Sequence, residues 1–217
     1  MSKVVSIDAL MASALELFAE RGFEGASLRD IATKAGVPLS TIHMYFGSKS
    51  ELYLAVYLGA WRGLHDERRE QLMKALEAPD GEVSLREVLH ALIEPVVKRS
   101  RSPSPEPRLG PKMLSSWPAP SGLDQDMLRS IKWDTFLPEW IDALMRACPT
   151  LTREEAVWAF SFSVGSLYSW QLIDNRYSRL LQLEDTLQGD ELTRLLVDFT
   201  TGGVEAMVAS IARARQA

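Results

Sequence analysis

Apolar residues recur along this chain at helical spacing almost from end to end, and that regularity removes most folds from consideration. Ile7, Leu10, Ala14, Leu17 and Phe18 stand at i, i+3, i+7, i+10 and i+11, one stripe of a 3.6-residue helix. Gly22 is placed to stop it. Leu28, Ile31, Ala32 and Ala35 repeat the pattern over a shorter span ended by Gly36, and Ile42 and Phe46 mark a third short helix ended by Gly47. No run of alternating β-branched residues argues for a sheet, and no Asn-Gly or Asp-Gly hairpin lies between two such runs. The expectation is an all-α fold.

Capping boxes mark the helix starts, because a hydroxyl and a carboxylate three residues on satisfy each other's orphan amides. Ser27 with Asp30, Ser48 with Glu51, Ser84 with Glu87 and Thr152 with Glu155 fit this pattern. The fourth helix is expected from about residue 49 into the 70s, closed by Pro79-Asp80-Gly81. The next, at about 85–100, contains Pro95, which should kink or break it. Six of the eleven prolines fall at 103, 105, 107, 111, 118 and 120, so residues 100–122 read as a loop. Helical patterning returns at about 123–147, with Pro138 as a break, and again at about 153–175 and 190–214. The sum is about nine helices. They divide into an N-terminal three-helix domain over residues 1–50 and a larger helical bundle over 51–217.

Composition narrows the function classes. Hydrophobic residues make up 46% of the chain, too many for a mainly disordered protein. No stretch approaches the roughly 18 charge-free apolar residues of a membrane span, so no membrane partner is expected. Asp8 and Glu16 interrupt the N-terminal apolar residues, which argues against a signal peptide. Cys148 is the sole cysteine, and no Cys/His cluster suits a metal. A cytoplasmic protein with no metal and no cofactor is the expectation. Lys and Arg number 24 against 29 Asp and Glu, a net charge of −5. Residues 1–50 hold five of each sign, so the remainder carries the whole excess and should repel phosphate. DNA binding, if present, belongs at the N-terminus.

The informative segment runs from Ser27 to Glu51. A short helix ends at Gly36, apolar Val37 follows, and a second short helix starts at once, which is the helix-turn-helix arrangement. Gly36 permits the positive φ of a tight turn. Ile31, Ala32, Ala35, Val37 and Ile42 make the small core under it. The outer side of the second helix then carries Ser40, Thr41, His43 and Tyr45, hydrogen-bonding groups suited to base edges and phosphates in a major groove.

Over about residues 7–56 the chain resembles the TetR family of transcriptional regulators. The matching residues are Phe18, Gly22-Phe23, Ser27 to Ala32, Ala35-Gly36-Val37, Thr41-Ile42, Tyr45-Phe46 and Ser48 to Leu52. Beyond that span the likeness is one of length and helical architecture. The resemblance implies a homodimer on a palindromic DNA operator, usually a repressor, with a small effector entering the C-terminal domain. Carried onto matching positions, Ser27 and Arg29 would touch DNA near the start of the first of the two helices. Leu39, Ser40, Thr41 and His43 would face the groove, and Tyr45 and Lys49 would hold phosphates. Pro38 and Leu39 stand where more polar residues are common, and His43 where an aromatic residue is usual.

Five of the six tryptophans lie after residue 116, in a half also rich in methionine and phenylalanine. Such side chains line apolar pockets or fill cores. Met113, Trp117, Met127, Trp133, Phe136 and Phe162 are the candidate lining of a site for a large apolar or aromatic effector. His90, Arg129 and Gln171 are its candidate polar anchors. For the dimer, Leu192, Leu196, Phe199, Gly203 and Met207 share one broad helical face near the C-terminus. Val157, Ser161, Val164 and Tyr168 on the preceding helix could lie against it. Two helices from each subunit would then make an isologous four-helix contact.

An enzyme is the competing class. No glycine-rich phosphate loop, nucleophile elbow or metal-ligand pair is present, and His43, His65 and His90 are scattered, so no catalytic residue is assigned. The expectation is a ligand-responsive repressor. The alternatives are an activator of the same fold and a helical binding protein that has lost DNA binding.

Overall fold

The computed structural model describes residues 7–77, 81–114, 136–182, 187 and 189–216. These residues form nine helices and no strand. In chain order the helices are α1 (Ile7–Gly25), α2 (Leu28–Ala35), α3 (Leu39–Phe46), α4 (Lys49–Leu76) and α5 (Leu85–Ser100). They continue with α6 (Pro105–Leu114), α7 (Leu137–Ala147), α8 (Arg153–Leu181) and α9 (Gly189–Gln216). Two compact units contain them, one drawn from Met1–His65 and Ser102–Ile131, the other from Asp66–Arg101 and Lys132–Ala217. α4 therefore contributes its first part to one unit and its second to the other.

In the first unit, α1 buries Leu10, Ala14, Leu17 and Phe18 of the stripe its spacing foretells, while Ile7 at its start is exposed. Gly22 interrupts the helix at φ 70° and ψ 179°, a backbone region open essentially to glycine alone, and one short turn resumes beyond it to Gly25. That break lets Phe23 turn in beside Tyr53 of α4. The two rings meet edge-on with centroids 5.2 Å apart, and Phe18 meets Tyr53 at 5.0 Å. α2 packs on both α1 and α3.

The expected loop over residues 100–122 is corrected in part, because Pro105–Leu114 is a helix that packs on α1. Pro105 and Pro107 fall in its first turn, where backbone amides have no intrahelical partner and a missing N–H costs nothing. Burial of Met113 and Leu114 secures its other end. Pro118 and Pro120 lie outside the described residues.

In the second unit, α5 packs on α7 and α9. It runs through Pro95 as one helix, against the expected break, since buried Val88, Leu89, Leu92, Ile93, Val96 and Val97 hold both halves in place. Each such side chain contributes roughly 1.5–3 kcal/mol on burial, together well above the roughly 3 kcal/mol an interior proline costs. Pro138, where the sequence places a break, falls at a helix start, and residues 123–135 lie outside the described residues. It occupies the first turn of α7 and starts that helix. Trp140 of α7 packs on Phe136 and Phe160, at centroid distances of 5.7 and 6.3 Å. At the start of α8 the capping box is reciprocal: Glu155 N–H donates to Thr152 Oγ1 at 3.3 Å, and Thr152 N–H donates to Glu155 Oε2 at 2.8 Å. Arg215 of α9 donates to both oxygens of Glu155 and to the Thr150 carbonyl, tying the end of α9 to the start of α8. The Thr152 amide, with the help of Arg215, holds the Glu155 carboxyl below the usual range.

α9 is the one described helix long and apolar enough, by length and composition, to cross a membrane. Only 22% of its apolar window is buried. It packs on α5 and α8, and its Asp198 pairs with Arg86 of α5.

Candidate nucleic-acid interface

Local chemistry builds the reading head step by step. Ser27 caps α2 by accepting from the Asp30 amide at 3.1 Å. α2 ends at Gly36 in the left-handed region, φ 67° and ψ 33°, where its amide and that of Val37 close back onto the Thr33 and Ala32 carbonyls at 3.2 and 3.0 Å. The turn then delivers Pro38, whose fixed φ suits a helix start, and α3 begins at Leu39. Pro38 offers no capping side chain. Gly47 closes α3, accepting at its carbonyl from His43 Nδ1–H at 2.9 Å. A carbonyl can only accept, so this bond puts the proton on Nδ1 and leaves Nε2 as the acceptor of the neutral ring.

The structure divides α3 into two sides. Ile42 is fully buried and Thr41 is 9% exposed. Thr41 therefore belongs to the supporting core and not to the groove-facing set in which its residue type placed it. At 100° per residue it shares the inner side with Ile42, while Ser40, His43 and Met44 share the outer side. Met44, absent from the expected set, is 70% exposed. The signal was available, since it stands four residues after Ser40. Leu39 is half-buried at the head of the helix and Tyr45 is 48% exposed.

Charge around this face is sparse. Arg21 pairs with Asp30 at 3.2 Å and Lys34 with Glu16 at 2.6 Å. Arg29 and Ser27 are exposed beside them, and Arg29 makes no ion pair among the described residues. Lys49, expected to hold phosphate, donates to the Glu24 carbonyl at 3.4 Å and stands over the Phe23 ring at 4.6 Å. It thus ties the start of α4 to the end of α1. Ser48 caps that start, accepting from the Glu51 amide at 3.1 Å.

The expected effector residues scatter. His90 is exposed on α5, and Met113 is buried in the first unit. Phe136 is buried in the second unit against Trp140 and Phe160. Phe162 is exposed on α8, stacked on Trp158 at 5.8 Å. Trp117, Met127, Arg129 and Trp133 lie outside the described residues, as does the side chain of Gln171. Sequence reasoning missed Arg68 on α4, which is only 6% exposed. It falls in register with buried Leu64, Leu72 and Ala75, a spacing that could have flagged it.

Of the expected dimer residues, Leu192 is buried within its own chain. Leu196, Met207, Val157, Val164 and Tyr168 are half-buried, and Ser161 is exposed with its hydroxyl bonded back to the Val157 carbonyl. Phe199 is 69% exposed. A groove of about 350 Å³ runs between α8 and α9, lined by Ala159, Phe162, Phe199, Gly203, Val204 and Met207. Cys148, the lone thiol, is pushed up from its ordinary pKa by burial and by Glu205, the opposite of what a nucleophile needs.

The profile of bacterial regulatory proteins of the tetR family matches residues 10–56, and that of the tetracyclin repressor-like C-terminal domain matches residues 90–203. Over 47 residues the chain is 45% identical to the HTH-type transcriptional activator FasR of Mycolicibacterium smegmatis, covering 22% of each protein. It is 38% identical over 86 residues to the HTH-type transcriptional dual regulator CecR of Shigella flexneri, 37% of each. The chain thus spans well under half the length of these curated relatives. In fold it is similar to the fatty acid degradation regulator FadR of Bacillus halodurans, with a TM-score of 0.63 at 17% identity over 91% of this chain and 99% of that one. It is also similar to FadR of Bacillus subtilis in complex with stearoyl-CoA, with a TM-score of 0.56 at 15% identity over 94% and 98%. With the two profiles matched in order, and the second alone spanning more than half of the sequence, the chain belongs to the TetR family of DNA-binding transcriptional regulators.

Proposed function

We propose that this protein is a cytoplasmic repressor that binds a palindromic operator as a homodimer and is released by a small apolar effector. The observation that carries the reading is the outer side of α3, where Ser40, His43 and Met44 stand exposed on a base of buried Thr41 and Ile42. Polar and apolar groups on one short helix can read base edges and a thymine methyl alike. Two such helices must lie about 34–36 Å apart, or a multiple of that, to enter successive major grooves.

The second copy is supplied by the face of α8 and α9. Trp158, Phe162 and Phe199 stand exposed there around the groove, and Gly202 and Gly203 leave open space above α9. An apolar cluster of this kind on one chain is a surface awaiting a partner, and an isologous contact lets Phe199 of each copy enter the other's groove. An apolar effector fits the aromatic second unit. A protein of the same fold, FadR of Bacillus subtilis, is named with stearoyl-CoA bound. α4 is continuous from the reading head into that unit, so an effector that favours another tilt of α4 shifts the heads off their spacing. Activation is the second reading, because a relative 45% identical over 47 residues is named an activator.

The test is selection of duplexes from a random pool by the purified protein, followed by titration at several salt concentrations. A palindromic consensus is expected. With Arg29 and Lys49 as the phosphate contacts of each head, a dimer neutralises about four charges and log K should fall with log salt at a slope of about −4. No enriched sequence, or binding only to single half-sites, would overturn the reading. Placement of the selected site at the promoter then separates repression from activation.

A further inference from the structure

We infer that Arg68 is the anchor for the acidic head of the effector, and that the effector is a carboxylic acid on an apolar body. The inference rests on the ligand-responsive reading above and names the chemistry of its ligand. Arg68 lies on α4 in the second unit, 6% exposed, in the same stripe as fully buried Leu72. A guanidinium keeps its charge in any protein environment, so burial cannot neutralise it. Buried charges are therefore paired in native proteins, since an unpaired one costs several kcal/mol. Arg68 has no ion pair among the described residues. Among the described residues only Nε of its five N–H donors has a partner, the Leu92 carbonyl at 2.8 Å, and Nη2 is buried with none. The two flanking residues are satisfied, Glu67 by Arg99 and Arg69 by Glu139, and so leave Arg68 as the exception on this turn.

The Nε bond fixes the plane of the guanidinium and leaves an Nη donor for an incoming group. The acceptor that matches such a fork is a planar carboxylate, which also supplies the missing counter-charge. A second observation points the same way. Trp140 and Trp170, on α7 and α8 of the same unit, are buried with indole N–H groups that meet no acceptor among the described residues. Buried indoles ordinarily find one. Among the described residues the unit thus holds unspent donors on Arg68, Trp140 and Trp170, with the Thr201 hydroxyl likewise buried without a partner there, and Phe136 and Phe160 lie against the Trp140 ring. An acid with an apolar tail answers both conditions.

The test uses the full chain and a stated panel: decanoate, palmitate and 1-naphthoate, the methyl ester of each, and decyl phosphate. Binding is read by tryptophan fluorescence and by melting temperature. The wild type should bind at least one acid ten-fold or more tightly than its ester. Arg68→Met should bring that ratio below two-fold while leaving ester affinity within two-fold. Without ligand the variant should melt at or above the wild type, because an uncompensated buried charge has been removed. Arg68→Lys, which keeps the charge and loses the fork, should give an intermediate ratio and serves if the methionine variant does not fold. The proposal is overturned if no acid of the panel binds, if acid and ester bind alike, or if decyl phosphate outbinds decanoate. It is also overturned if Arg68→Met lowers the melting temperature while keeping the acid preference, which would mark a structural arginine. Operator binding by unliganded protein is measured alongside. Its presence with a failed panel sinks only the effector assignment, whereas its absence sinks the regulator reading.

Discussion

Met44→Ala separates a side chain that reads DNA from one that builds the head. Met44 is 70% exposed, so truncation removes little that the folded protein uses. Met and Ala differ little in helix propensity, and surface changes of this kind stay within about 0.5 kcal/mol. Full burial of a methionine side chain contributes roughly 1.5–3 kcal/mol. With about seven-tenths of that surface still open, docking in a groove has about 1–2 kcal/mol left to gain, or roughly a five- to thirty-fold change in affinity for each head. A duplex enriched by the wild type and labelled for fluorescence anisotropy supplies the assay, with thermal melting run on the same samples. Ile42→Ala is the control from the opposite side of α3. Ile42 is fully buried, so its truncation should cost about 2–5 kcal/mol of stability and abolish binding through loss of the head. If Met44→Ala binds as the wild type does, or melts several degrees lower, the division of α3 into a supporting and a reading side is wrong.

Gly36→Ala adds a Cβ that meets no atom within 4 Å, so its cost is the left-handed backbone alone, about 1–2 kcal/mol by chemical denaturation. An unchanged midpoint would mean the turn tolerates any residue. Phe199→Asp should convert a dimer to a monomer in light scattering and weaken operator binding by orders of magnitude, and a persisting dimer would place the interface elsewhere. Glu155 titrates below the usual range in the folded chain, so the ionised form is the stabilised one. Its contribution is complete above the unfolded value near pH 4.3 and is lost as pH falls through the lower folded value. The melting-temperature gap between the wild type and Glu155→Gln should therefore close on acidification, and a gap that does not change with pH would show that the Arg215 contact does not depend on that charge.

Much of the head is legible in its residues because local rules decide it. Ser27, Gly36 and the stripe from Leu10 to Phe18 each act within a few positions along the chain, and each stands where its spacing implies. The side of α3 on which Thr41 falls is not local, since a threonine is polar enough for the surface and small enough for a core. Its neighbour Ile42 fixes the matter by claiming the inner side. The prolines show the same limit. Pro105 reads as part of a loop and Pro138 as a break, and both stand in the first turn of a helix, while Pro95 is overruled by the burial around it. The second unit is least legible because apolar residue type does not say which of core, effector site and partner surface a side chain serves. Phe136 and Phe162 look alike in sequence and end at opposite extremes of exposure.

The inward turn of Thr41 and Ile42 has an evolutionary corollary. If α3 reads DNA as proposed, a duplicated copy of this gene has few letters with which to acquire a new target: Ser40, His43 and Met44, with Leu39 and Tyr45 at the margins. Drift at those sites leaves folding intact, while drift between them is purged as misfolding. Paralogues that diverge in address should therefore differ in a three-letter word interrupted by an unchanging pair.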